Sequence, residues 1–222
     1  MLELKHLRWS LPDGAEIVRD ISVNIPDQKL VVVTGPNGGG KTTLARLIAG
    51  VQTPDSGQII LDGEDITGLD VTQRANRGIA YGFQQPVRFK GLTVRDLLEL
   101  AAGEKLNKPA VCELLGKVGL CAQEYIDRQM DAALSGGEPE AGIDLWSFSR
   151  LVETFQELHR HHNGTLLIIS HQERILSIAD EIIVIADGTV RASGPREEIL
   201  PALLQGGWTS RCPRGKETVC DE

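Results

Sequence analysis

No apolar run in the 222 residues approaches the roughly 20 residues that a bilayer-crossing helix needs, so no direct membrane insertion is expected. The opening Met1-Leu2-Glu3-Leu4-Lys5 lacks the charged-then-apolar layout of a secretory signal, which places the expected location in the cytoplasm. Cysteine is scarce. Cys112, Cys121, Cys212 and Cys220 are widely spaced with no C-x-x-C pair, which argues against both a zinc site and a disulfide framework. Positive charge is outnumbered, with Lys+Arg 23 against Asp+Glu 31 and a net charge of -8, so no nucleic-acid partner is expected. His159, His161 and His162 cluster without a carboxylate or thiol at ligand spacing and read as a solvated helix end.

What the sequence does have is a glycine loop. Gly35-Pro36-Asn37-Gly38-Gly39-Gly40-Lys41-Thr42-Thr43 fits the pattern G-x-x-x-x-G-K-[ST] in full, which points to a nucleoside triphosphate. The flanks agree: residues 30–33, Leu-Val-Val-Val, read as a buried strand entering the loop, and residues 42–50, with Leu44, Leu47 and Ile48, as the helix leaving it. Glycines let successive backbone N–H groups converge on phosphate oxygens at a helix N-terminus, where the macrodipole favours negative charge. Lys41 is placed to reach the β- and γ-phosphates, and the Thr42 hydroxyl to take a position on Mg²⁺.

Residues 2–9 and 17–25 alternate and are punctuated by Pro12-Asp13-Gly14 and Pro26-Asp27, which predicts antiparallel strands before the nucleotide strand. From about 92 to 130 the spacing turns helical through Leu97, Leu98, Leu100, Val111, Leu114, Leu115 and Val118, with Gly119 as a stop. A further helix is expected through Phe148, Leu151, Val152, Phe155 and Leu158, and buried strands at 166–169 and 182–185 around a short helix. The fold class that follows is α/β, a P-loop NTPase core with an N-terminal antiparallel β part and an inserted helical lobe. The stretch from 206 to 222 has no periodicity and is expected to lack order, leaving Cys212 and Cys220 as incidental thiols.

Several ordered landmarks resemble the ATP-binding-cassette ATPases, from the start to about residue 204. Ser56-Gly57-Gln58-Ile59-Ile60-Leu61-Asp62-Gly63 resembles the hairpin after the first helix, and Phe83-Gln84-Gln85-Pro86 the glutamine loop. Leu134-Ser135-Gly136-Gly137-Glu138 is similar to the signature, Glu140-Ala141-Gly142-Ile143-Asp144 to the D-loop, and Ile168-Ile169-Ser170-His171 to the switch strand. Within that family Ala80 to Val87, Tyr125-Ile126-Asp127-Arg128 and His171-Gln172-Glu173-Arg174-Ile175-Leu176 resemble the SufC-type ATPases of iron–sulfur cluster assembly. The resemblance implies a cassette over residues 1–205 with its helical lobe at 92–131. It also implies ATP and Mg²⁺ as ligands, with Thr42 and Gln84 at the metal and His171 at the γ-phosphate. Ser135, Gly136 and Gly137 would close over ATP held by a second copy, with the D-loop Asp144 beside them, so an ATP-dependent homodimer is implied. The implied partner is a SufB-type scaffold protein or, alternatively, a membrane permease; a third reading is a module that binds ATP without hydrolysing it.

Two departures bear on activity. The family stacks adenine on an aromatic residue where this chain has Leu11, with Trp9 two residues earlier as a substitute. Between Gly137 and Asp144 lie only Glu138, Pro139, Glu140, Ala141, Gly142 and Ile143, where the family has a helix and a strand, roughly 20 residues. That strand carries the Walker B aspartate, and the glutamate that polarises water follows it. Glu138 fits either the last residue of the signature or that catalytic glutamate. Hydrolysis is therefore expected to be weak or absent even if Mg-ATP binds.

Overall fold

The computed structural model describes residues 1–82, 89, 91–117, 121–129, 153, 157 and 164–204. The chain divides into two units, Met1–Tyr81 with His162–Glu222 and Gly82–His161.

The first unit is built on a mixed sheet. Strands β1 (Leu2–Ser10) and β2 (Glu16–Ile25) pair antiparallel, as their alternation predicts, and bury Leu4, Leu7, Val18, Ile21, Val23 and Ile25 on one side. The alternation slips between Leu4 and Leu7, where the register shifts and His6 takes a φ of 50°. Strand β4 (Ser56–Leu61) adds to β1 and turns through Asp62 and Gly63, both at positive φ, into the short β5 (Glu64–Asp65). This is the hairpin expected at residues 56–63.

The parallel part surrounds β3 (Leu30–Thr34), which is buried along its whole length. It lies between β6 (Leu166–Ile169) and β7 (Glu181–Ala186), both parallel to it. Strands buried on both faces become continuous apolar runs, and β3 and β7 obey that rule. Strand β8 (Thr189–Pro195) returns antiparallel on β7, giving the order β5-β4-β1-β2-β8-β7-β3-β6. Its alternating burial had no clear apolar signal in the sequence. Residues 166–169 differ from expectation: β6 is only half-buried and Ile169 is exposed, because β6 ends the sheet order and pairs among the described residues with β3 alone. Helix α1 (Lys41–Ala49) lays Leu44, Leu47 and Ile48 into the cluster formed by β1, β2, β3, β4 and β7.

The second unit holds helices α3 (Val94–Ala102), α4 (Lys108–Lys117) and α5 (Ala122–Tyr125); α2 (Val71–Ala75) belongs to the first. Thr93 and Asp96 form a capping box that starts α3, and Gly103 at a φ of 71° ends it. Val111, Leu115 and Ile126 make a small core with Val94, Leu98, Leu106, Cys112 and Tyr125 around it. Leu100 and Leu114, although at helical spacing, are exposed. The expected stop at Gly119, the helix-marking Phe148, Leu151, Val152, Phe155 and Leu158, and the stretch 206–222 lie outside the described residues.

Candidate functional site

Strand β3 delivers the chain to the glycine loop at its C-terminal end, and the loop leans on β7. Gly35 has a φ of 130°, and a Cβ built on it would stand 2.0 Å from the Ile185 carbonyl oxygen. Gly39 is nearly as confined, 2.9 Å from the same oxygen by the same construction. Gly38 is different: its φ is 78° but a Cβ there would meet nothing within 4 Å. Gly40, at a φ of 99°, is the N-cap of α1 and its carbonyl accepts from the Leu44 N–H at 2.8 Å. The first-turn N–H groups of an α-helix have no acceptor within it, and α1 has neither a capping side chain nor an acid in that turn. Its positive end is thus left for an anion.

The Lys41 ammonium reaches back over the loop and donates to the carbonyl oxygens of Gly35 and Pro36, at 2.8 and 2.7 Å. Two of its three protons are used, which fixes the nitrogen above the loop and leaves one donor for a ligand. Burial holds its pKa below the ordinary lysine value. Thr42 and Thr43 are half-buried at the start of α1. Among the described residues no group of three or more His, Cys, Asp or Glu is arranged for a metal. A hydroxyl such as that of Thr42, working with substrate oxygens, suits Mg²⁺, which favours few protein ligands over a closed cage.

The turn from β7 to β8 was not singled out in the sequence, yet it braces the loop. Gly188 donates its N–H to the Gly39 carbonyl at 3.2 Å and accepts from the Arg19 N–H at 2.9 Å. The signal was available: Asp187-Gly188 between apolar runs is a two-residue hairpin turn, and both residues have positive φ. A Cβ on Gly188 would lie 2.6 Å from the Ile17 carbonyl oxygen. Gly188→Ala is therefore expected to shift the Gly39 peptide and weaken triphosphate binding about tenfold. Equilibrium titration with Mg-ATP checks this.

His171 stands exposed just past β6. Val33 and Ile169 are register partners, and the Ser170 N–H donates to the Val33 carbonyl at 3.1 Å. The glycine loop and His171 thus leave the same edge from neighbouring parallel strands, the edge at which such sheets take ligands. Trp9 pairs across β1 and β2 with Val18, whose Cγ2 would be 3.7 Å from a Cβ on Gly40. Trp9 packs against the main core, whereas Leu11 at the hairpin tip is exposed. Gln84, Ser135, Gly136, Gly137, Glu138 and Asp144 lie outside the described residues, as do His159, His161, His162, Cys212 and Cys220.

A parallel-strand core with a glycine loop capping the following helix defines a P-loop nucleotide-binding protein. The chain belongs to the ABC transporter family, whose profile matches residues 18–141, and is an ATP-binding cassette. It is 32% identical over 213 residues to an uncharacterized ABC transporter ATP-binding protein of Methanocaldococcus jannaschii, covering 83% of this chain and 85% of the relative. It is 33% identical over 209 residues to the sulfate/thiosulfate import ATP-binding protein CysA of Synechocystis sp., covering 82% of this chain but only 57% of that protein. The fold matches an ATP-binding cassette solved as a dimer in a post-hydrolysis state bound to ADP and Pi. The TM-score is 0.75 at 19% identity, covering 88% of this chain and 99% of the other. In the first alignment the 213 positions take up 83% of the 222 residues, roughly 184, so about 29 positions have no residue of this chain opposite them. Among the described residues no helix is long and apolar enough to cross a membrane.

Proposed function

We propose that this chain is the ATP-binding subunit of an ABC import transporter, working as a homodimer against a membrane permease at the cytoplasmic face. The observation that carries the reading is the braced glycine loop in a chain whose relatives are named as transporter ATP-binding proteins. The SufC-type assignment, with a SufB-type scaffold, is the weaker reading, because those relatives favour the transporter alternative. In the proposed cassette, residues 1–205 form the domain and 92–131 its helical lobe. Gly35, Pro36, Asn37, Gly38, Gly39, Gly40, Lys41, Thr42 and Thr43 hold the triphosphate. Thr42 and Gln84 attend Mg²⁺, His171 the γ-phosphate, and Ser135, Gly136, Gly137 and Asp144 act across the dimer.

This chain's own residues bind and orient; phosphoryl transfer needs little more than positioning and charge stabilisation. Water activation is where the chain falls short. About 29 unmatched positions are of the size that a missing helix and strand would leave, which supports a cassette lacking its Walker B segment. Binding without turnover is the expected result: Mg-ATP binds and promotes dimers, while phosphate release stays at background. Calorimetry, sedimentation and a phosphate-release assay on the wild-type chain test this together. A steady-state rate matching ordinary cassettes would refute the loss of hydrolysis. Recovery with a soluble scaffold, and not with a permease, from the native host would restore the SufC-type reading.

A further inference from the structure

The far end of α1 is held by a buried cation. Gly50, at a φ of 77°, closes the helix, and the Val51 N–H donates to the Arg46 carbonyl at 2.9 Å. The next two carbonyls, of Leu47 and Ile48, both accept from one guanidinium nitrogen, Nη1 of Arg74, at 2.6 and 2.9 Å. Its Nη2 donates to the Thr67 carbonyl at 2.8 Å and its Nε to that of Leu69 at 3.0 Å. Arg74 is 1% exposed. These four acceptors are backbone carbonyls, and Asp65 acts on the guanidinium only through its charge. The fork thus ties the end of α1 to the segment leading into α2. That segment is itself fixed: Asp70 and Gln73 exchange the two bonds of a capping box, at 2.8 and 3.0 Å.

A neutral donor would satisfy carbonyls; an arginine also puts a full positive charge where the helix carries its partial negative one. The other end of α1 is the glycine loop, nine residues away, roughly 13 Å at 1.5 Å per residue. We propose that Arg74 is a positioning residue for the triphosphate. It sets α1 along its axis, and so sets the first-turn N–H groups, while its charge offsets the negative end and favours an anion at the positive one. This rests on the reading of the glycine loop as a nucleotide site.

The test compares two fluorescent probes on the whole chain, trinitrophenyl-ATP with Mg²⁺ and trinitrophenyl-adenosine, at a temperature where circular dichroism shows every variant folded. Arg74→Met should weaken the triphosphate probe on the order of tenfold and move the adenosine probe by less than about twofold, with Arg74→Lys recovering part of the loss. A purely structural cross-link would lower the melting temperature and leave the split between the probes unchanged; that result, or an equal loss for both, overturns the proposal. If Arg74→Met does not fold, Gly50→Ala serves instead, because its Cβ would stand 3.0 Å from the Arg74 Cδ and Nε and press the guanidinium aside. It should show the same split, and its absence overturns the proposal too. A wild-type chain that binds neither probe removes the nucleotide site as well, whereas binding that is indifferent to Arg74 removes the positioning role alone.

Discussion

Gly35→Ala should destabilise the chain by on the order of 3 kcal/mol and abolish triphosphate binding. The added methyl carbon would stand 2.0 Å from the Ile185 carbonyl oxygen, a separation no pair of such atoms tolerates, and a φ of 130° suits glycine alone. The obstacle is backbone, not the end of a flexible side chain. Either β7 or the loop must move, and β7 is fully buried from Ile182 to Ala186, between β3 and β8. The loop is therefore the part that gives, and the spacing of its N–H groups goes with it. Gly38→Ala is the built-in control, since a methyl group there meets nothing within 4 Å and should cost only about 1–2 kcal/mol for its positive φ. Urea unfolding of the two variants beside the wild type measures the difference. Equal losses would mean that the contact with β7 is not what demands glycine.

Lys41→Ala should lower the affinity for Mg-ATP about 100-fold with little change in the melting temperature of the free chain. The ammonium is fixed by two carbonyls of the loop it serves, so its third proton is presented with little further loss of side-chain freedom. Its burial disfavours the charged form, and the free protein gains little from keeping it. The pH dependence has a definite sign. A lysine whose pKa is lowered keeps its proton below that value and loses it as pH rises, so affinity should be level near neutrality. It should then fall on the alkaline side sooner than an exposed lysine would allow. Titration calorimetry across that range, with Lys41→Arg as the variant that keeps its charge, checks both the size and the direction. Arginine restores charge but not the compact point donor, so only partial recovery is expected.

The sequence carried the phosphate loop, the strand before it and the helix after it, because glycine spacing and a run of four apolar residues are local signals. It carried the antiparallel entry strands for the same reason. It did not carry the support beneath the loop. Gly188 and Arg74 act on α1 and its loop from residues far along the chain, and nothing in the pattern around either names its target. β8 and α2 were missed because one alternates only weakly and the other is a single capped turn. Leu100 and Leu114 mark the limit of helical spacing: both lie in the helices it predicts, yet they are exposed, and the lobe's small core forms from Val111, Leu115 and Ile126.

The antiparallel and parallel parts of the sheet meet at one residue pair, Asp20 with Thr189, reinforced by the Arg19 to Gly188 bond. A ladder that narrows to so few bonds is a seam, and hydrogen exchange should show the amides on its two sides opening as separate blocks. Gly188 stands on that seam with its N–H on the glycine loop, so the line where the sheet has fewest bonds to hold it shut is also the line that steadies the loop.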